Sequence, residues 1–241
     1  MAFQFDFGPV WAGMPDLLMG CLGTMGLALA GMVLATIIGI GGVILRDSRF
    51  PPLRWLVMSF VEFIRNTPFL VQCYFMFFAL PLLGEQLGAM IFKAGLTAKA
   101  NNLLLLSPTA TAVIALGVNG GAYAIEIIRG GVQAISKGQI EAGLALGLRK
   151  SQVFRLIVLK PALRAIYPSL TSQFTLLTLT TSVASAIAAY ELTSVAEIIN
   201  GNSFRTFEVY FTITIMYLII STIMALIFNA ISRRFFSYPV K

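Results

Sequence analysis

The 241-residue chain has no histidine, only two cysteines and few charges, 11% of its residues against about a quarter in a soluble domain. The missing histidine, and the lack of paired Asp in any apolar stretch, leave no catalytic constellation for an intramembrane enzyme. Cys21 and Cys73 each sit in an apolar run and read as small buried hydrophobes rather than a disulfide or metal pair. No Walker A loop is present. The first 45 residues hold no Lys or Arg, so the basic n-region of a signal peptide is missing.

What the chain has in surplus is apolar surface, 58% of its residues. One soluble core cannot absorb that, whereas lipid can, at about 20 apolar residues per helical span. The net charge of +7 is unevenly placed. Arg46, Arg49, Arg54 and Arg65 form one basic group. Arg129, Lys137, Arg149, Lys150, Arg155, Lys160 and Arg164 form a second, and Arg233, Arg234 and Lys241 close the chain. Only Lys93, Lys99 and Arg205 lie elsewhere. Such alternation follows the positive-inside rule and marks the cytoplasmic loops. It does not suit nucleic acid, which calls for basic and aromatic residues together on one soluble face.

The reading is an all-α membrane protein with one domain over residues 1–241. Five spans are expected near 16–45, 53–83, 107–128, 163–190 and 206–231. The N-terminus then lies outside and the C-terminus inside. Span 1 is rich in glycine, which points to close backbone packing rather than a substrate role. Span 2 opens with Glu62, Arg65, Asn66, Thr67 and Pro68. Glu62 and Arg65 share a helix face and are expected to pair, and Pro68 is expected to kink the helix near Asn66. This stretch suits either a paired interfacial helix or a bend lining a pathway. Residues 84–107 form the main outer loop, with a short surface helix over 87–92. Ser107-Pro108 starts span 3 as N-cap and first helical residue. Gly120-Gly121 in that span mean close packing or local unwinding, and Glu126 and Arg129 repeat the acid–base spacing. Span 4 carries hydroxyls from Thr171 to Ser185, and residues 191–206 form a second outer segment.

The stretch from Lys137 to Pro161 is too polar to span and too patterned for a loose loop. Residues 139–146 suit a short amphipathic helix stopped by Gly147, and Ser151 suits the N-cap of a second through Phe154 and Ile157. Glu141, Ala142, Gly147, Ile157 and Leu159 stand at the spacing of the EAA motif, which this loop resembles; that motif belongs to permeases of ATP-binding-cassette (ABC) importers. Gly143 replaces the motif's second Ala, and Lys160 stands at its usual Pro, with Pro161 one later. Residues 61–72 and 121–130 are similar to signatures of the polar amino acid branch (histidine, glutamate, glutamine, arginine, opines). Thr181-Ser182 with Glu191-Leu-Thr193 is similar to its span 4 ending.

The resemblance implies a type I importer permease of MetI-like fold in the bacterial inner membrane, a transport subunit and not an enzyme. Its coupling loop, 129–162, would meet the ATPase through Glu141, Ala142, Gly143, Gly147 and Leu148. ATP and Mg²⁺ would be bound by that ATPase, and this chain would bind no cofactor or metal. Partners implied are a second permease, two ATPase subunits, a periplasmic binding protein, the amino acid substrate and membrane lipid. The substrate pathway is expected at Gln173, Thr180, Thr181 and Ser182, with Asn66 and Thr67. Members of this branch often carry Lys where Leu179 stands here, and some carry an acid where Gln173 stands. Lacking both charges, the chain is expected to favour a paralogous permease as its partner, with a homodimer as the alternative. The alternative is a non-transporting membrane scaffold or receptor subunit.

Overall fold

The computed structural model of the chain describes residues 4–93 and 105–236, and these contain helices and no strands. A short helix, α1 (Gly8–Ala12), leads into α2 (Met14–Arg46). Then come α3 (Pro51–Arg65), α4 (Phe69–Tyr74), a π-helical turn (Phe75–Ala79) and α5 (Leu80–Lys93). The third group is α6 (Pro108–Gln133), α7 (Lys137–Ala145) and α8 (Lys150–Val153). A second π turn (Phe154–Val158) joins α9 (Leu159–Thr180), which tightens into a 3₁₀ stretch (Thr181–Ile187). After a break come α10 (Leu192–Ser203) and α11 (Thr206–Phe236).

Among the described residues, four helical segments are long and apolar enough to cross a bilayer: Met14–Arg46, Phe69–Gln86, Pro108–Gln133 and Thr206–Phe235. A fifth crossing arises if Lys150–Ile187 and Leu192–Ser203, bent by 48°, count as one broken span. Along α2, Leu22, Leu29, Val33, Ile37, Ile40 and Ile44 form an exposed stripe with helical spacing, as a lipid-facing side would. The outer loop expected over 84–107 lies partly outside the described residues. Its first part, to Lys93, continues α5 as helix.

The core is centred on α2 against α6, the most extensive helix pair. Small residues let the two backbones approach. A Cβ on Gly39 would lie 2.7 Å from the Ala124 Cβ, and one on Gly121 would lie 2.7 Å from the Ile38 Cβ. Gly120 faces Leu177 of α9, so this glycine pair serves close packing within an unbroken helix and not unwinding. Leu27, Ala28, Ala35, Ala112, Ala115 and Leu116 fill the seam with almost no exposure. In lipid, where the hydrophobic effect between helices is weak, such contact supplies the association energy.

Two expectations are corrected by the backbone. First, span 2 does not kink at Asn66 but breaks. Asn66 leaves helical geometry (φ −99°, ψ 6°), Pro68 is extended (φ −63°, ψ 136°), and the chain restarts at Phe69. Pro68 disfavours helical geometry at the residue before it, so the helix ends upstream. Second, the two short helices of the loop are not both separate. From Lys150 the chain runs on through Pro161 into α9. The π turn at Phe154–Val158 lies just before that proline, and the one at Phe75–Ala79 just before Pro81. Proline offers no N–H and crowds the carbonyl four residues back, and a widened turn relieves both. Ser151 is therefore not an N-cap. Arg149 takes that place, because its N–H is held by the Gln152 Oε1 at 2.8 Å.

Candidate coupling loop and translocation elements

α7 ends because Gly147 adopts φ +80°, a left-handed conformation that glycine adopts without strain. The Gly147 and Leu148 N–H groups close the helix on the carbonyls of Leu144 (3.0 Å) and Gly143 (3.2 Å). The chain then turns back, and α7 lies against the base of the long helix. Gly143 is the buried point of that contact. A Cβ there would run into the Ile157 Cδ1 and stand 3.2 Å from the Val153 Cγ2. The departure from Ala at this position therefore matches a tight local fit. Ile140 packs against a neighbouring cluster of Val158, Ala162 and Ile166. The other face is free: Glu141, Ala142 and Leu144 are exposed, and Leu146 is 82% exposed. Leu144 and Leu146 thus leave apolar side chains bare on that face.

The long helix connects this loop to the hydroxyl-rich segment. Most of those hydroxyls are turned onto their own helix. Thr171, Thr175, Thr178 and Thr180 donate to the carbonyls of Tyr167, Thr171, Phe174 and Leu176 at 2.8–3.0 Å. Ser182 donates to the Leu179 carbonyl at 2.9 Å. Among the residues expected to line a pathway, Gln173, Thr180 and Ser182 are at least partly open. Thr181 is not. It is 0% exposed and donates to the Thr178 carbonyl at 2.7 Å, because the tightened turn directs it into the core. Thr171, Ser172 and Thr175 line a cleft of about 160 Å³ shared with Asn229 of α11.

At the end of the bundle where α2 stops, Glu126 accepts from Arg129 Nη2 at 3.3 Å. It also accepts from Arg46 at the end of α2, a partner that sequence spacing gave no means of finding. Glu62 and Arg65 do not pair. Once the helix ends at Arg65, the Asn66 amide is the nearer donor to Glu62, at 2.9 Å. The Arg65 guanidinium instead lies 5.5 Å from the Tyr123 ring centre.

The span 2 break is held by a residue the sequence reading passed over. Gln72 is buried, and its Nε2 donates to the Ile64 carbonyl (2.8 Å), the Thr67 carbonyl (3.1 Å) and the Thr67 Oγ1 (2.8 Å). Its Oε1 accepts from the Asn119 Nδ2 at 3.0 Å. One amide thus ties both sides of the break to α6. A lone Gln deep in an apolar run was the available signal. Gln72→Leu should leave the Asn119 amide unpaired and the Ile64 carbonyl with only its long contact to the Thr67 Oγ1 (3.4 Å), at a cost of about 1–3 kcal/mol. The expected result is a lower thermal midpoint of the assembled complex and faster proteolysis near Asn66. A midpoint equal to wild type would contradict it.

The break in the last bent span is built more firmly. Ala188 takes a left-handed φ of 58°, and the Ala188 and Ala189 N–H groups close onto Ser185 and Ala184. Glu191, 0% exposed, caps α10 by accepting from the Ser194 N–H at 2.7 Å, while the Ser194 hydroxyl accepts from the Glu191 N–H. Its carboxylate also accepts from the Tyr217 hydroxyl of α11 at 2.6 Å and from Thr24 of α2 at 3.4 Å. Residues 191–206, expected as an outer segment, thus begin as a helix packed into the core. Leu192 and Ala196 are fully buried.

Residues 31–237 match the family of binding-protein-dependent transport system inner membrane components. The chain is 33% identical over 231 residues to the glutamine transport system permease protein GlnP of Escherichia coli K12, covering 96% of this chain and 98% of that one. It is 31% identical to the octopine transport system permease protein OccM of Rhizobium radiobacter, covering 93% of this chain and 88% of the relative. Against the L-cystine transport system permease protein TcyB of Bacillus subtilis it is 30% identical, covering 99% and 92%. Its fold superposes on a crystal structure of an amino acid ABC transporter with histidines at a TM-score of 0.81, with 25% identity and coverage of 96% of this chain and all of that one. The inward-facing MetNI methionine ABC transporter shares the fold at a TM-score of 0.69 with 18% identity, covering 93% and 98%. The helical architecture is thus a shared one, and the chain is a member of the family of binding-protein-dependent transport system inner membrane components, an inner-membrane ABC importer permease subunit.

Proposed function

We propose that the chain forms half of a translocation pathway for a polar amino acid. Permeases of this family work with a partner permease, an ATPase and a binding protein. Here the ATPase, which holds ATP and Mg²⁺, engages the exposed face of α7 through Glu141 and Ala142, with Gly143, Gly147 and Leu148 setting that helix's pose. The N-terminus lies outside and the C-terminus inside, which puts α7 on the ATPase side. The observation that carries the reading is the uninterrupted helical run from Lys150 to Ile187. It joins the base of α7 directly to the hydroxyl-rich segment and its break. A displacement of α7 therefore moves Gln173, Thr180 and Ser182 as one body, and the pathway they line with Asn66 and Thr67 switches access.

The amino acid class rests on the glutamine, octopine and cystine permeases among the relatives. The uncharged character of Leu179 and Gln173 favours a paralogous second permease that supplies the charged contacts. The test is uptake of labelled glutamine, arginine and cystine into proteoliposomes holding the assembled transporter and its binding protein. ATP-driven uptake of one of them, abolished by Glu141→Lys while ATP hydrolysis persists, is the expected result. Uptake unchanged by Glu141→Lys would refute the coupling assignment. A functional complex containing only this permease would refute the heterodimer.

A further inference from the structure

At the inner end of α2 the chain carries a basic recess that the transport reading does not use. Its volume is about 480 Å³, and Arg46, Ser48, Arg54, Trp55 and Arg129 line it. Three guanidiniums there meet two carboxylates, Asp47 in the wall and Glu126 bonded to both Arg46 and Arg129. One positive charge is left over, which matches a phosphodiester. The Arg129 side chain, 33% exposed, opens onto the recess. Ser48 Oγ accepts from the Phe50 N–H at 3.2 Å, which leaves its own hydrogen free to donate. Among the described residues Arg54 has no ion-pair partner. The recess thus offers donors and a net charge to an anion.

The second observation is its neighbour. Asp47 also borders a groove of about 670 Å³ between α2, α6 and the start of α9. Its walls are almost wholly apolar, with Ile40, Ile44, Val132, Phe154, Leu163 and Ile166 among them. A charged recess and an apolar groove meeting at one residue suit a ligand with an anionic head and a hydrocarbon tail. The level fits too. The recess sits where α2 leaves the apolar phase, and Trp55, 63% exposed, stands at its rim as an interfacial anchor would.

We propose that an anionic phospholipid, such as phosphatidylglycerol, binds here, with its phosphate against Arg46, Arg54 and Arg129 and one acyl chain in the groove. The head thereby meets the cations that tie α2 to α6, and the chain wedges beside the π turn above α7. The proposal rests only on the membrane placement of the chain and not on its cargo, so the test below needs no transport assay.

The assembled transporter is placed in nanodiscs containing a trace of phosphatidylglycerol with a photoactivatable diazirine in its acyl chain. After irradiation, the labelled peptides are identified by mass spectrometry. Label is expected in residues 36–44 and 159–170. A phosphatidylcholine probe of the same chain should label these peptides several-fold less. Arg54→Gln should lower the phosphatidylglycerol label about fivefold, and Arg54→Lys should restore most of it. Arg54 is exposed, so neither variant disturbs packing. Equal labelling by both lipids, or labelling indifferent to Arg54→Gln, would overturn the proposal. Loss of label on adding millimolar inorganic phosphate at constant ionic strength would also overturn it, assigning the recess to a soluble anion.

Discussion

Glu191→Ala is expected to lower the thermal midpoint of the assembled transporter by roughly 10 °C and to abolish uptake. The Glu191 carboxylate has partners on three helices. It accepts from the Tyr217 hydroxyl, the Ser194 N–H and the Thr24 hydroxyl, and it is fully buried. Alanine leaves these donors facing apolar surroundings, at about 1–3 kcal/mol for each one left unmatched, and removes a helix cap worth about 1 kcal/mol. Partial re-pairing of Thr193 with Tyr217, already 2.9 Å apart, recovers some of this. A net loss of about 3–5 kcal/mol, at about 2–4 °C per kcal/mol for a chain of this size, gives the stated shift.

The functional loss follows from position. Glu191 joins α2, α10 and α11 at the point where the last bent span turns. Close approach makes this possible: a Cβ on Gly23 would stand 2.6 Å from the Tyr190 carbonyl oxygen. Glu191→Gln should lose less than half as much, because its amide oxygen still accepts. In a double-mutant cycle, Tyr217→Phe should be largely without further effect in the Glu191→Ala background. A Glu191→Ala complex with a wild-type midpoint, or strict additivity with Tyr217→Phe, would remove the cluster from its structural role.

Gly143→Val should cut uptake about 5- to 100-fold without preventing membrane insertion. The branched side chain would meet the Ile157 Cδ1 and the Val153 Cγ2, both at the base of the long helix. Overpacking of this kind costs about 1–3 kcal/mol. α7 sits at the surface, so the cheapest relief is for it to lift away from α9. Glu141 and Leu146 then present to the ATPase at the wrong angle, while the ATPase's own hydrolysis persists. Ile157→Ala empties the contested space and should restore much of the uptake in the double variant. Restoration separates a packing fault from a lost chemical contact. Uptake at the wild-type level in Gly143→Val, or no rescue in an assembled double variant, would show that the α7 pose does not govern coupling.

Some features were legible in residue order because their cause is local. Apolar runs and the alternation of basic groups fix the membrane class, since lipid penalises charge wherever it occurs. Gly147 could be read as a helix stop because the left-handed φ it supplies depends on its own missing side chain. The glycines of α2 were readable as contact points, though not their counterparts on α6.

Other features needed the fold. Pairing of Glu62 with Arg65 followed from spacing, yet the break at Asn66 supplied a nearer donor. Thr181 and Thr180 are adjacent hydroxyls of one kind, and only the tightened turn decides that the first is buried. Arg46 reaches Glu126 across 80 residues, and Glu191 reaches Thr24 across 167. Sequence by itself determined that this is a helical permease with a patterned loop, because hydropathy and spacing act over one turn or one span. Only the tertiary structure decided which polar groups are spent inside the bundle and which stay free, because a hydrogen bond is settled by the nearest partner in space.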